Sequence, residues 1–456
     1  MQYASPNFRR MAQHPKLDIQ VAYCSLQGAE RGLDPEFGIE VQWDVPLLEG
    51  YPWIQLRNKS PRPGLGRFLG LFNPGLWKLV SSGGFDAVVV YTGYAYVSFW
   101  IALAAAKLHG IPLLFGTDAH GLAPLDGKNW KVAVKRLVWP RLFRLASVVI
   151  VPSSRSVYMM RSLGIPDDRL VLTPYVVDND WWLKQAAKLN RRKVRRTWGV
   201  PDNATVALFC AKLQPWKRPL DLLHAFAQAD APSSHLVFAG DGPLRTELES
   251  RAVSLGVSTR IHFLGFINQS QLPAVYCASD LLVLPSDYDA FGVVVNEAML
   301  CGCSAIVSDR VGAGGDLISA GRTGYVFPCG NVASLAALLQ EVLSDPERLK
   351  RMSESARRRM ETWSPTENIE GLVQAIERSL ALKFQRVTSF CGSAAPLCGM
   401  VSPFRADLPH PVFFSEVAPH GGGKRNGADA RKGGEAVTKS SESLSPLRRR
   451  GAEVRN

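Results

Sequence analysis

Two carboxylates, Asp289 and Glu297, stand on either side of Phe291-Gly292-Val293, a turn that opens a helix-favouring run ending at Gly302. The start of such a helix presents unpaired backbone amides and a partial positive charge, a natural seat for a diphosphate. Lys212 and Lys217 follow the apolar run 204–210 and bring two ammonium groups within reach of the same phosphates. A charged hydrogen bond of this kind contributes about 1.5–3 kcal/mol. Asp289, just before the helix, and Glu297, in its second turn, then have hydroxyls to grip, those of a donor sugar and those of a ribose. Phe266 follows the run 261–264 on the same side. Each residue also has a plainer role: Asp287 or Asp289 as a helix cap, the lysines as solvated turn residues, Gly240 and Gly242 as makers of tight turns. Their convergence on one side of one sheet favours the binding reading.

A parallel sheet is what must position them. Short apolar runs at 204–210, 235–239, 261–264, 281–284, 304–307 and 324–327 alternate with helix-length segments. Runs rich in Val, Leu and Phe, bounded by Gly, Pro or Asp, read as strands buried on both faces. Open parallel sheets bind ligands beyond the carboxyl ends of their strands, where the residues above fall. A less regular series at 18–23, 87–91, 112–115, 148–151 and 170–173 gives a second Rossmann-like lobe. The fold class is therefore α/β, with an N-terminal lobe over 1–180, a linker near 178–182 and a C-terminal lobe over 181–364. A helix over about 365–384 returns to the first lobe, its start marked by Ser364-Pro365. From 385 to 456 no apolar periodicity remains, and a disordered basic tail is expected.

The second lobe resembles the donor-binding half of glycosyltransferase family four. Ala211-Lys-Leu-Gln-Pro-Trp-Lys217 stands where that family has Gly-Arg-Leu followed by a Lys. Phe238-Ala-Gly-Asp-Gly-Pro, Phe263-Leu-Gly-Phe and Leu284-Pro-Ser agree in order and spacing, and Asp289 and Glu297 take the two ends of its Glu-x7-Glu element. The resemblance spans 5–382 and is strongest over 206–327. It implies the GT-B fold, two Rossmann-like domains facing each other across a cleft, and retaining transfer from a nucleotide-diphosphate sugar with no metal or other cofactor. Under it Lys212 and Lys217, with Gly292, Val293 and Phe266 around them, hold the nucleotide diphosphate, Glu297 the ribose and Asp289 the sugar. Phe115-Gly-Thr-Asp118-Ala-His120-Gly looks like the acceptor-side segment, so Asp118 and His120 join Asp289 as catalytic candidates. Asp in place of the usual Glu at 289 shortens the reach, and Lys in place of Arg at 212 removes a bidentate fork. Family members also begin with a strand and a Gly-rich turn, whereas Met1-Gln-Tyr-Ala-Ser-Pro looks like the residues after that strand. A central strand of the first sheet is therefore expected to be absent, leaving ladder bonds unmade and apolar neighbours exposed.

Composition fits two ordinary cores: 456 residues, 46% hydrophobic and 20% charged. The net charge of +13 suits a phosphorylated substrate or an anionic surface. The stretch 385–456 holds eleven Lys or Arg against six Asp or Glu, and the rest reads as a modest bias over the body. No nucleic-acid module is recognisable, so no nucleic-acid partner is expected. The eight cysteines lack paired zinc spacing and read as reduced, packed thiols of a cytoplasmic protein, Cys301-Gly-Cys303 included. The apolar stretch 94–115 is broken at Gly110-Ile-Pro112 and falls short of the ~20 residues needed to span a membrane. The expected setting is peripheral, at the inner face of the membrane, with a saccharide, lipid-linked or small-molecule acceptor in cell-envelope polysaccharide or glycolipid synthesis. Two rivals stand beside this reading. One is a metal-dependent transferase using Asp178-Asn-Asp180 or Asp287-Tyr-Asp289 to hold a divalent ion. The other is a nucleotide-sugar-binding remnant that has lost transfer.

Overall fold

Strands with no polar alternation must be covered on both faces, and the two large parallel sheets of this protein are. The computed structural model describes residues 2–34, 39–122, 130–391 and 410–415, without the side chains of 33, 34 and 386–391. The chain parts into the units Met1–Gly421 and Gly422–Asn456. The second lies outside the described residues, and both sheets belong to the first.

The six-stranded sheet runs, in spatial order, Ile261–Gly265, Ser234–Ala239, Thr205–Cys210, Leu281–Leu284, Ser304–Ser308 and Gly324–Phe327, all parallel. Every residue of Thr205–Cys210 and Leu281–Leu284 is buried. Leu222, Phe226 and Leu339 cover one face, and Trp182, Tyr276 and Met299 the other. The first sheet runs Trp53–Gln55, Gln20–Tyr23, Pro411–Ser415, Ala87–Val90, Leu113–Gly116, Val148–Val151 and Leu170–Leu172, again all parallel. Helices Ala4–Ala12 and Pro365–Cys391 pack on one face through Phe8, Leu372 and Ile376, and Leu76, Phe99, Phe143 and Met160 fill the other.

Two expectations need correcting here. Pro411–Ser415 lies in the stretch expected to be without order, yet it is a strand, and it occupies the place in the first sheet where a strand was expected to be absent. Val412 pairs with Gln20 on one side and Val88 on the other, and Phe414 with Ala22 and Val90. Val412, Phe413 and Phe414 are at most 1% exposed. The physical reason is a match between a short apolar run of high strand preference and a slot that offers ladder groups on both edges. His410 fixes the entry: its amide donates to Asp86 Oδ2 at 2.9 Å, and its ring stacks on Phe85 at 4.8 Å. The returning helix also runs on to Cys391, beyond the expected end. The rest of the expected tail, 392–409 and 416–456, lies outside the described residues.

Helix starts follow the local chemistry. Ser364 Oγ accepts from the Thr366 amide at 3.2 Å while Glu367 Oε2 accepts from the Ser364 amide at 2.8 Å, a reciprocal cap. The linker is a helix, Asn179–Ala186, capped by Asp178. The broken apolar stretch becomes the twelve-residue helix Val97–Leu108 and the strand Leu113–Gly116. Among the described residues no helix is long and apolar enough to cross a membrane. The six cysteines with described side chains are free thiols; Cys303 is buried, its Sγ 3.1 Å from the Tyr276 carbonyl.

Candidate functional site

Lys212 and Lys217 sit in the turn after Thr205–Cys210, at the carboxyl edge of the six-stranded sheet. This turn is stitched to its neighbour: the Leu213 amide donates to the Asp241 carbonyl at 2.9 Å, and the Leu244 amide to the Leu213 carbonyl at 3.2 Å. Gly240, at φ +146°, comes so near that a Cβ there would stand 2.0 Å from the Ala211 oxygen, so the approach requires glycine. Lys217 Nζ lies 2.6 Å from Asp289 Oδ2, with both side chains less than one-fifth exposed. Arg218, at φ 53°, forks between Asp221 at 2.7 Å and Asp287 at 3.1 Å. Two adjacent cations thus clamp the turn 287–289. The sequence reading missed Arg218, whose signals were its adjacency to Lys217 and its place before Pro219, which disfavours a right-handed helical backbone.

Gly292 has φ +88°, and a Cβ there would meet Val311 Cγ1 at 2.8 Å. The helix it leads into is Val294–Leu300, shorter at both ends than expected, with Val293 at its N-cap and no side-chain cap. Glu297 is fully buried, and the Tyr276 hydroxyl donates to its Oε2 at 2.7 Å. Burial pushes its carboxyl up from 4.5 to about 7, opposed in part by hydrogen bonds from Tyr276, Gln269 and Tyr3. Glu297 Oε1 has no hydrogen-bond partner of good geometry. Glu297 therefore lies beneath a cover of tyrosines instead of at the open edge of the sheet. Tyr3, Gln269 and Tyr276 were missed in the sequence.

Asp118 and His120 follow Leu113–Gly116 at the carboxyl edge of the first sheet. The His120 ring stacks on Tyr288 of the other lobe at 5.0 Å and 26°, and its Nδ1 lies 3.2 Å from the Asp118 carbonyl oxygen. Burial lowers the His120 pKa, with Asp118 and Asp289 pulling the other way, which favours the neutral ring. Asp118 and Asp289 both act electrostatically on Tyr175 and Tyr288. The structure therefore gathers Asp118, His120, Lys217 and Asp289 where the lobes meet, with Lys212 on the adjoining turn. Phe266 makes a different interlobe contact, 6.4 Å from Trp43, beside Asn268 Nδ2 donating to the Gln42 carbonyl at 2.7 Å.

Residues 9–176 match the family model of the glycosyl transferase 4-like domain, and residues 190–359 that of glycosyl transferases group 1. A D-inositol 3-phosphate glycosyltransferase of Corynebacterium efficiens is 30% identical over 310 residues, covering 63% of this chain and 70% of the relative. The chain belongs to the group 1 glycosyltransferases. The enzyme of the same name from Rhodococcus opacus is 26% identical over 397 residues, covering 79% of this chain and 84% of the relative. The crystal structure of Anabaena Alr3699/HepE in complex with UDP and glucose matches with a TM-score of 0.53 and 21% identity, over 76% of this chain and 87% of that one. That likeness is one of fold, and the fold of this glycosyltransferase is GT-B.

Both Asp-x-Asp runs of the glycosyltransferase carry cations of its own. Asp178 and Asp180 share Arg10, at 2.7 and 2.8 Å. Asp287 holds Arg218 and lies 3.2 Å from Cys329 Sγ, and Asp289 holds Lys217. Among the described residues no group of three or more His, Cys, Asp or Glu is placed to hold a metal ion.

Proposed function

We propose that this glycosyltransferase moves a sugar, with retention of configuration and without a metal, from a nucleotide-diphosphate sugar to a saccharide or lipid-linked acceptor of the cell envelope, working in the cytoplasm at the inner membrane face. The observation that carries the reading is the 2.6 Å pair of Lys217 and Asp289 at the Gly292 turn, beside the His120–Tyr288 stack. An arriving diphosphate replaces Asp289 as the partner of Lys217, and the released carboxylate accepts from sugar hydroxyls. Lys212 lends a second charge, and Glu297 accepts from the ribose once the Tyr3 cover moves aside. The HepE neighbour was solved with UDP and glucose, which supports a uridine nucleotide as the first donor to try.

Transfer then needs no enzymic nucleophile. The acceptor oxygen attacks the anomeric carbon on the face the diphosphate leaves. The carbon–oxygen bond to phosphate breaks, and the leaving phosphate oxygen takes the acceptor's proton. Lys212 and Lys217 stabilise the charge that develops on that phosphate. Neutral His120 and Asp118 orient the sugar and acceptor hydroxyls. The remnant reading rested on a gap in the first sheet that Pro411–Ser415 fills.

A thermal-shift panel of UDP, GDP, ADP and their sugars tests the donor half, since a ligand that binds only the folded state raises its stability. One nucleotide and its sugar should raise the melting temperature, and Glu297→Ala should weaken that binding roughly ten-fold or more. A panel in which no nucleotide moves the transition removes the reading.

A further inference from the structure

We propose that one face of the first lobe, formed by the 62–69 turn and helices Gly75–Ser82, Val97–Leu108 and Trp130–Phe143, docks on an anionic lipid bilayer. This rests on reading the first lobe as the acceptor side, and it assigns the acceptor to lipids carrying a saccharide headgroup.

Charge is the first observation. Residues 50–166 hold fourteen Lys or Arg against three Asp, and from 127 to 166 there is neither Asp nor Glu. Most of the net +13 therefore belongs to one stretch of one lobe, which corrects the modest, spread bias inferred from the total.

Exposed apolar surface is the second. Of the sixteen large hydrophobic residues exposed among the described residues, eleven fall between Phe68 and Tyr158. Phe68 and Leu69 are 53% and 54% exposed, Leu108 73%, Trp130 64% and Leu137 62%. On Trp130–Phe143, Trp130, Val134, Leu137 and Val138 form one exposed stripe at helical spacing, while Trp139, Leu142 and Phe143 are buried on the other side.

The elements form a continuous face. All pack on the same side of the first sheet. The Gly66 amide donates to the Tyr96 hydroxyl at 3.0 Å, Trp139 Nε1 to the Tyr94 hydroxyl at 2.8 Å, and Trp77 meets His109 edge-on at 6.3 Å. An apolar stripe rimmed by Arg136 and Arg141 is the pattern of a segment lying in a membrane interface, where apolar side chains enter the acyl boundary and cations meet lipid phosphates. The chain's own segment 416–456 is a poor occupant, since it holds nine Lys or Arg against five Asp or Glu. Lys135 Nζ also donates to the Leu122 carbonyl at 3.2 Å, tying the docking helix to the segment that carries Asp118 and His120. Docking thus sets that segment beside the headgroups.

Vesicle sedimentation of the full chain tests this without any transfer assay. The chain should pellet with vesicles containing about one-third phosphatidylglycerol, and far less with phosphatidylcholine alone. Arg136→Glu with Arg141→Glu, and separately Trp130→Ser with Leu137→Ser, should each cut partitioning roughly ten-fold. Both pairs should keep the wild-type melting temperature and nucleotide shift, whereas Lys350→Glu with Arg351→Glu on the other lobe should leave partitioning unchanged. The proposal is overturned by equal binding to both vesicle types, by an equal loss in the Lys350/Arg351 pair, or by a face that instead holds two copies together, read as dimers that Trp130→Ser with Leu137→Ser dissociates. Intact vesicle binding with no nucleotide shift would leave the docking face standing and remove the donor reading alone.

Discussion

The Lys217–Asp289 pair carries most of the chemistry proposed for single residues. Removing one member of a largely buried pair strands the other charge. Lys217→Ala should therefore lower the melting temperature and weaken nucleoside-diphosphate binding at least ten-fold, whereas Asp289→Ala should abolish transfer and leave that binding within a few-fold. Calorimetric titration with the nucleotide separates the two; equal losses of binding in both would contradict the division of roles. Glu297 gives a pH signature. Its folded pKa, about 7, exceeds the usual 4.5, so the folded state holds the proton more tightly. The stability this provides is complete below about pH 4.5 and lost as pH rises through about 7, a change of up to about 3 kcal/mol. Melting curves of Glu297→Gln against wild type should diverge across that window, the variant gaining relative stability towards pH 8, and parallel curves would contradict it. Spacing singled out Lys217, Asp289 and Glu297 as candidates for holding a ligand. It could not show that the first two hold each other, or that Tyr276 and Tyr3 close over the third, because those contacts arise only when distant turns are folded together.

At the scale of elements, the strands of the six-stranded sheet were legible almost to the residue, because a run such as Thr205–Cys210 is buried on both faces. Pro411–Ser415 was not. Five residues without alternation read equally well as loop, and nothing local announces a partner at Gln20. Its place in the middle of the first sheet makes it testable. Val412→Pro removes an amide from a central ladder and clashes with it. The variant should lose transfer and melt earlier, while nucleotide binding persists, since the six-stranded sheet takes no strand from 411–415. Phe413→Leu should be mild. Hydrogen exchange checks the same point: the amides of 412–414 should be as protected as those of Ala87–Val90, and rapid exchange there would remove the strand from the sheet.

At the scale of the whole molecule, total charge hid what position reveals: a basic, apolar-studded face on one lobe and a pair of clamped carboxylates on the other. The lobes meet through named contacts. The Ser154 amide donates to both Asp316 oxygens at 3.2 Å, and Arg155 to the Asp309 carbonyl at 2.8 Å. These hold Asp118 and His120 opposite the turn 287–289, so the proposed transfer site draws on both lobes. The most direct measurement is the anomeric configuration of the product, read by proton NMR, formed from the nucleotide sugar that stabilises the protein, in the presence of a chelator. The expected result is a glycoside with the donor's own configuration, absent in Asp289→Ala. An inverted product, or transfer that appears only when manganese is restored, would contradict retaining, metal-independent transfer.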